Sequence, residues 1–69
     1  MTLYGAIFEK FMNDNIGKRI KIHIRDLPDT IGTLVAFGKS DILIDIGNGK
    51  RCVIDDTVVI GICEVDETE

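Results

Sequence analysis

The sequence is short of the residues that small proteins use as staples. It has two cysteines, Cys52 and Cys63, and one histidine, His23. A structural zinc site takes about four nitrogen or sulfur ligands, usually with close cysteine spacing, so one copy of the chain does not supply one and no metal is assigned. A single disulfide is formally possible. Both cysteines, however, sit in apolar stretches, KRCVID and VIGICEV, where free cysteine behaves as a small hydrophobe. No apolar run approaches a membrane-spanning helix, and the first apolar residues are broken by Glu9 and Lys10, unlike a secretory signal. These absences point to a reducing, cytoplasmic setting with no membrane partner. Positive charge is scarce as well. Eight Lys and Arg stand against 12 Asp and Glu, a net charge of -4, which works against the phosphate neutralisation that non-specific nucleic-acid binding depends on. No spacing pattern places a serine or cysteine beside His23, so neither a catalytic set nor a cofactor is expected.

With 69 residues the chain is one domain at most. A core of this size gives only marginal stability. With zinc set aside and a disulfide unfavoured, partner subunits are the remaining source of support.

Periodicity divides the chain. Leu3, Ile7 and Phe11, with the adjacent row Tyr4, Phe8 and Met12, make an apolar helical stripe over about residues 3–13. Thr2 is placed to cap it, and Asn13-Asp14-Asn15 followed by Gly17 is a stop signal. About three turns of helix are unstable alone, so this one is expected to cover the open end of a sheet. From Lys18 the period becomes two, with Ile20, Ile22 and Ile24 on one face and Arg19, Lys21, His23 and Arg25 on the other. Asp26-Leu27-Pro28-Asp29 is a turn. Thr30 to Phe37 reads as a second strand, in which Gly32 marks a bulge or bend. Asp41 to Ile46 alternates again, Gly47-Asn48-Gly49 is a hairpin turn, and Arg51–Ile54 and Val58–Val65 are further strands around the turn Asp55-Asp56-Thr57. Residues 66–69 are a polar tail. A helix followed by about five short strands joined by tight turns predicts an all-β small barrel or sandwich, over about 18–65, within a single domain 1–69.

At this point the residues resemble the Sm and Sm-like (LSm, Hfq-type) family over residues 3–63. Gly32, Leu34 and Phe37 fit the Gly-x-Leu-x-x-Phe core of the first Sm motif, with Leu43 and Ile44 in its apolar strand. Ile54, Val59 and Ile62 fit the second motif. Gly38 stands where the family's Asp follows the Phe, and Ile42 falls near the base-reading Asn. Asp55-Asp56 replaces the Arg-Gly of the second motif, and Asp56-Thr57 falls on the Lys-His pair of Hfq-type chains. The positions that shape the barrel match, and those that hold a base or phosphate differ.

The resemblance implies an SH3-type barrel that works as a closed homo-oligomeric ring of roughly five to seven subunits. In that family the fourth strand of one subunit pairs with the fifth of the next, which assigns Cys52, Val53, Ile54, Val58, Val59 and Ile60 to the interface. It also suits the sequence, because the apolar fifth strand would be an aggregation hazard as a free edge. The implied partner is single-stranded RNA. The candidate residues are Phe37, Lys39 and Ser40 in the loop where the family clasps a base, and the basic row Lys18, Arg19, Lys21, His23 and Arg25, the one concentrated positive feature. Asp55, Asp56 and Thr57 are expected on the pore side. Their plainer reading is turn chemistry, and that of the basic row is a solvated face neutralised by Asp41 or Asp45. The alternative function is a structural or protein-interaction ring that has lost its RNA-reading residues.

Overall fold

The computed structural model describes residues 5–65. It has one helix, α1 (Ala6–Asn15), and five strands: β1 (Arg19–Ile24), β2 (Thr30–Phe37), β3 (Asp41–Gly47), β4 (Lys50–Asp55) and β5 (Val59–Glu64), with a single 3-10 turn, Asp56–Val58, between the last two. All pairings are antiparallel and the sheet order is β4-β3-β2-β1-β5. The fold class is the one expected, a helix leading into five bent strands. The sheet curls, and no ladder between β4 and β5 closes it, so these two strands are its open edges. Among the described residues no helix is long and apolar enough to cross a membrane.

The helix differs from its expected form at both ends. Thr2, Leu3 and Tyr4 lie outside the described residues, and the helix begins at Ala6 after Gly5, whose carbonyl accepts from the Glu9 N–H at 3.0 Å. It runs past the expected stop at residue 13 to Asn15, because Asn15 is buried and its side-chain amide donates to the Phe11 carbonyl at 2.8 Å. Met12 and Asn15 are buried, and Phe8 and Phe11 are half-buried beside them. Ile7, read as part of the stripe, is 89 % exposed. The stripe is therefore narrower than the sequence suggests, and it enters the barrel through Met12. The exit of the helix is pinned to β2: Gly17 donates to the Leu34 carbonyl, and Leu34 donates back to the Lys18 carbonyl.

Met12, Ile20, Ile22, Leu34, Ile42, Ile44 and Val59 form the core, with Phe8, Phe11, Ile24, Phe37, Cys52, Ile54 and Ile62 packed against it. Two bulges set which residues face inward. Val35 is skipped in the β2–β3 register, where Leu34 pairs with Ile44 and Ala36 with Leu43. An extra residue reverses the alternation, so Phe37 rather than Ala36 turns toward the core. Ile60 is skipped opposite β1, where Ile24 pairs with Val59 and His23 with Gly61, and the inward residues of β5 become Val59 and Ile62. The bulge expected at Gly32 is thus at Val35. Gly32 instead permits close packing. A Cβ there would stand 2.9 Å from the Asp45 carbonyl oxygen, so its bare Cα lets β2 approach β3.

Candidate nucleic-acid interface

The basic row is built by β1. Buried Ile20 and Ile22 force Arg19, Lys21 and His23 to the outer face. Lys18 precedes the strand, and Arg25 follows it in the turn, held by a 2.8 Å bond from its N–H to the Val58 carbonyl. The row is therefore three strand residues flanked by two loop cations. Its cross-strand neighbours are Ile31 and Thr33 on β2 and Gly61 and Cys63 on β5. Among the described residues neither Asp41 nor Asp45 forms an ion pair with Arg19, Lys21 or Arg25, so the expected neutralisation does not occur. Asp45 instead caps the β3–β4 hairpin, accepting from the Gly47 N–H at 2.8 Å.

The loop 37–40 and the turn 55–57 lie side by side, joined by a 2.9 Å bond from the Asp56 N–H to the Ser40 carbonyl. Phe37 is half-buried and makes an edge-to-face contact with Phe8, ring centroids 5.7 Å apart. Beside it opens a cleft of about 330 Å³ between Ala36, Leu43 and Val53. Asp55 caps the 3-10 turn through a 2.9 Å bond from the Thr57 N–H. That backbone bond, helped by the Thr57 and Asp56 side chains and opposed by desolvation, holds the Asp55 carboxyl below the ordinary carboxylate value. Asp56 is buried. This end of the barrel thus gathers Asp41, Asp55 and Asp56 around Lys39 and Ser40, and its electrostatics oppose those of the β1 face.

His23 has partners that spacing alone does not reveal. Its Nδ1 lies 2.9 Å from Asp29 Oδ1, and its Nε2 lies 3.5 Å from Cys63 Sγ. No spacing pattern in the sequence pairs a cysteine with His23, because it is the β1–β5 register that brings together residues 40 apart. The one hint in the sequence is that Gly61 and Cys63 share the outward parity of β5. Both cysteines are free.

The two open edges carry exposed apolar side chains: Val53, 69 % exposed on β4, and Ile60, 58 % exposed on β5, with Val58 beside it. Of the other residues assigned to the interface, Val59 faces the core, and Cys52 and Ile54 are half-buried against it.

No protein-family model and no curated protein sequence matches this chain. Among solved structures, it is similar to the crystal structure of a heptameric archaeal Sm protein, described for its implications for the eukaryotic snRNP core. The similarity has a TM-score of 0.71 at 24 % identity, and covers 83 % of this chain and 98 % of the other. With its helix, five bent antiparallel strands and the Gly32, Leu34 and Phe37 pattern in place, this chain has the Sm-like fold.

Proposed function

We propose that the chain assembles into a closed ring through its β4 and β5 edges and that the ring binds single-stranded RNA on the β1 face. The observation that carries the assembly is the pair of open edges, each with unpaired backbone groups and exposed Val53 or Ile60. A free apolar edge invites pairing with another chain, and a head-to-tail contact that repeats with rotation closes into a ring. The cleft formed by Ala36, Leu43 and Val53 gives the incoming β5 an apolar seat. The similar archaeal protein is itself heptameric.

The RNA reading is supported by Arg19, Lys21 and Arg25, which no carboxylate among the described residues pairs. Repeated around a ring, such a row forms a continuous cationic track for a phosphate backbone. A second reading has its own support. Asp41, Asp55 and Asp56 make the loop end repellent to polyanions, which suits a structural or protein-interaction ring. Two measurements separate the readings. Native mass spectrometry gives the assembly, and binding to U-rich and A-rich single-stranded RNA at several salt concentrations gives the function. A stable monomer at micromolar concentration overturns the ring, and a ring without RNA affinity at low salt selects the second reading.

A further inference from the structure

We propose that Cys63 is a modification site, a nucleophilic thiol that exchanges with low-molecular-weight disulfides, with His23 as its general base and Asp29 as the residue that orients the base. Asp29 Oδ1 lies 2.9 Å from His23 Nδ1, which therefore carries the ring proton and donates it to the carboxylate. That tautomer leaves a lone pair on Nε2, directed at Cys63 Sγ 3.5 Å away, where it accepts the thiol proton. Nucleophile, base and orienter stand in hydrogen-bonded series, as in activated nucleophiles generally. The arrangement is built into the fold. Gly61 is the cross-strand partner of His23, and a Cβ there would stand 3.3 Å from His23 Cδ2. Lacking one, Gly61 lets the imidazole lie against β5 and span from the β1–β2 loop to the thiol. Cys63 and Asp29 are exposed, so a small reagent has access. Cys63 lies on β5, an edge strand of the proposed ring, but its side chain stands against His23 and opposite Lys21 of β1, so all three members of the site come from one subunit.

In the exchange, His23 Nε2 takes the Cys63 proton as the sulfur attacks one sulfur of R–S–S–R. The new S–S bond forms as the old one breaks, and the departing RS⁻ takes the proton from the imidazolium to leave as RSH. The products are the Cys63 mixed disulfide and one thiol, with no other oxidant required. The charged groups facing this site are Lys21, opposite Cys63 on β1, and Asp29 at the imidazole.

The test uses the full chain carrying Cys52→Ser, oxidised glutathione as the probe, and intact mass as the readout. At pH 7 Cys63 should form the mixed disulfide at least about tenfold faster in the folded protein than in the same chain unfolded in urea, a modest demand on general-base assistance. His23→Gln should bring the rate down to that of the unfolded chain, and Asp29→Asn should lower it several-fold. The pH profile gives a readout that a purely structural role would not change. Without a base, only the thiolate reacts, and below its ionisation the rate climbs about tenfold per pH unit. The parent should climb less steeply than His23→Gln. If His23→Gln loses its circular dichroism spectrum, Asp29→Asn and the folded-to-unfolded ratio still decide. A folded rate equal to the unfolded one, or rates and profiles unchanged in both variants, overturns the proposal.

Discussion

Asp41 and Asp55 stand directly opposite each other across the β3–β4 ladder. Like charges in that position repel. The Thr57 N–H offsets this at the Asp55 carboxylate, while Asp41 is tied into its turn through its backbone carbonyl, which accepts from the Gly38 N–H at 2.9 Å. Gly38 contributes further by having no side chain, since a Cβ there would meet Asp41 Oδ1 at 2.5 Å. Gly38 occupies the place where the Sm motif has an acidic residue, and the carboxylate that fills the adjoining space comes from Asp41, three positions later.

This arrangement predicts an acid-sensitive cap. The Asp55 carboxyl is held below its ordinary value in the folded chain, chiefly by the Thr57 N–H. A depressed folded value means the stabilisation is present above the unfolded value of 3.8 and is lost as pH falls through the folded one. Asp55→Ala should therefore melt below the parent at neutral pH, and the gap should shrink once the pH drops under the usual carboxylate range. Thermal melts from about pH 7 to about pH 2.5 check this. A gap that persists unchanged at the acid end would mean that the cap does not act through charge.

The close approach of β2 to β3 predicts that Gly32→Ala is destabilising out of proportion to its size. The added methyl meets a backbone carbonyl rather than a flexible side chain, and overpacking of this kind costs about 1–3 kcal/mol. Leu34→Ala, which empties a fully buried site two residues on, should cost about 2–5 kcal/mol. Urea unfolding at fixed protein concentration measures both, because any assembly links stability to concentration. A neutral Gly32→Ala would place the contact with Asp45 elsewhere.

Much of this fold is legible in the sequence because burial on a strand has period two. Ile20 and Ile22, and Ile42 and Ile44, are readable as inward pairs, and Asn48 and Gly49, with φ of 57° and 75°, form the turn that Gly-Asn-Gly announces. The bulges are legible only in part. The interval of two from Gly32 to Leu34, then three from Leu34 to Phe37, is the signature of the extra residue at Val35, and the interval of three from Val59 to Ile62 is that of Ile60. A glycine draws the eye to the wrong position, since Gly32 serves close packing. The site is harder to read. Alternation places Arg19, Lys21 and His23 on one face, but the contacts of His23 with Asp29 and Cys63 depend on a loop conformation and a strand register that single-strand periodicity does not contain.

The open edges predict different outcomes for adjacent substitutions on β5. Ile60→Lys and, on β4, Val53→Lys place charge on side chains that are exposed in one subunit. Each should keep the circular dichroism of the fold while losing the oligomer, because an unpaired charge is costly in an apolar interface. Val59→Lys should unfold the chain instead, since Val59 is fully buried in the core. Light scattering beside circular dichroism distinguishes the two failures. Unchanged oligomer mass in both edge variants would show that the subunits meet elsewhere.

RNA binding on the β1 face makes the last prediction, and charge gives it two directions. Lys21→Glu with Arg25→Glu should weaken binding and flatten its salt dependence, because each lost phosphate contact lowers the logarithmic salt slope by about one unit. Neither side chain belongs to the core, and Arg25 is tied to the fold through its backbone N–H to Val58, so the double variant should keep its structure. Asp55→Asn with Asp56→Asn works from the acidic turn instead. If RNA passes near the 37–40 loop, removing two carboxylates per subunit should strengthen binding, an effect repeated in every copy around a ring. If it stays on the β1 face, that pair should change affinity little while the β1 pair changes it greatly. The two double variants, titrated with the same RNA at several salt concentrations, therefore locate the strand as well as test for it. Affinity indifferent to both charge changes would remove the electrostatic basis of the RNA reading and leave the structural ring.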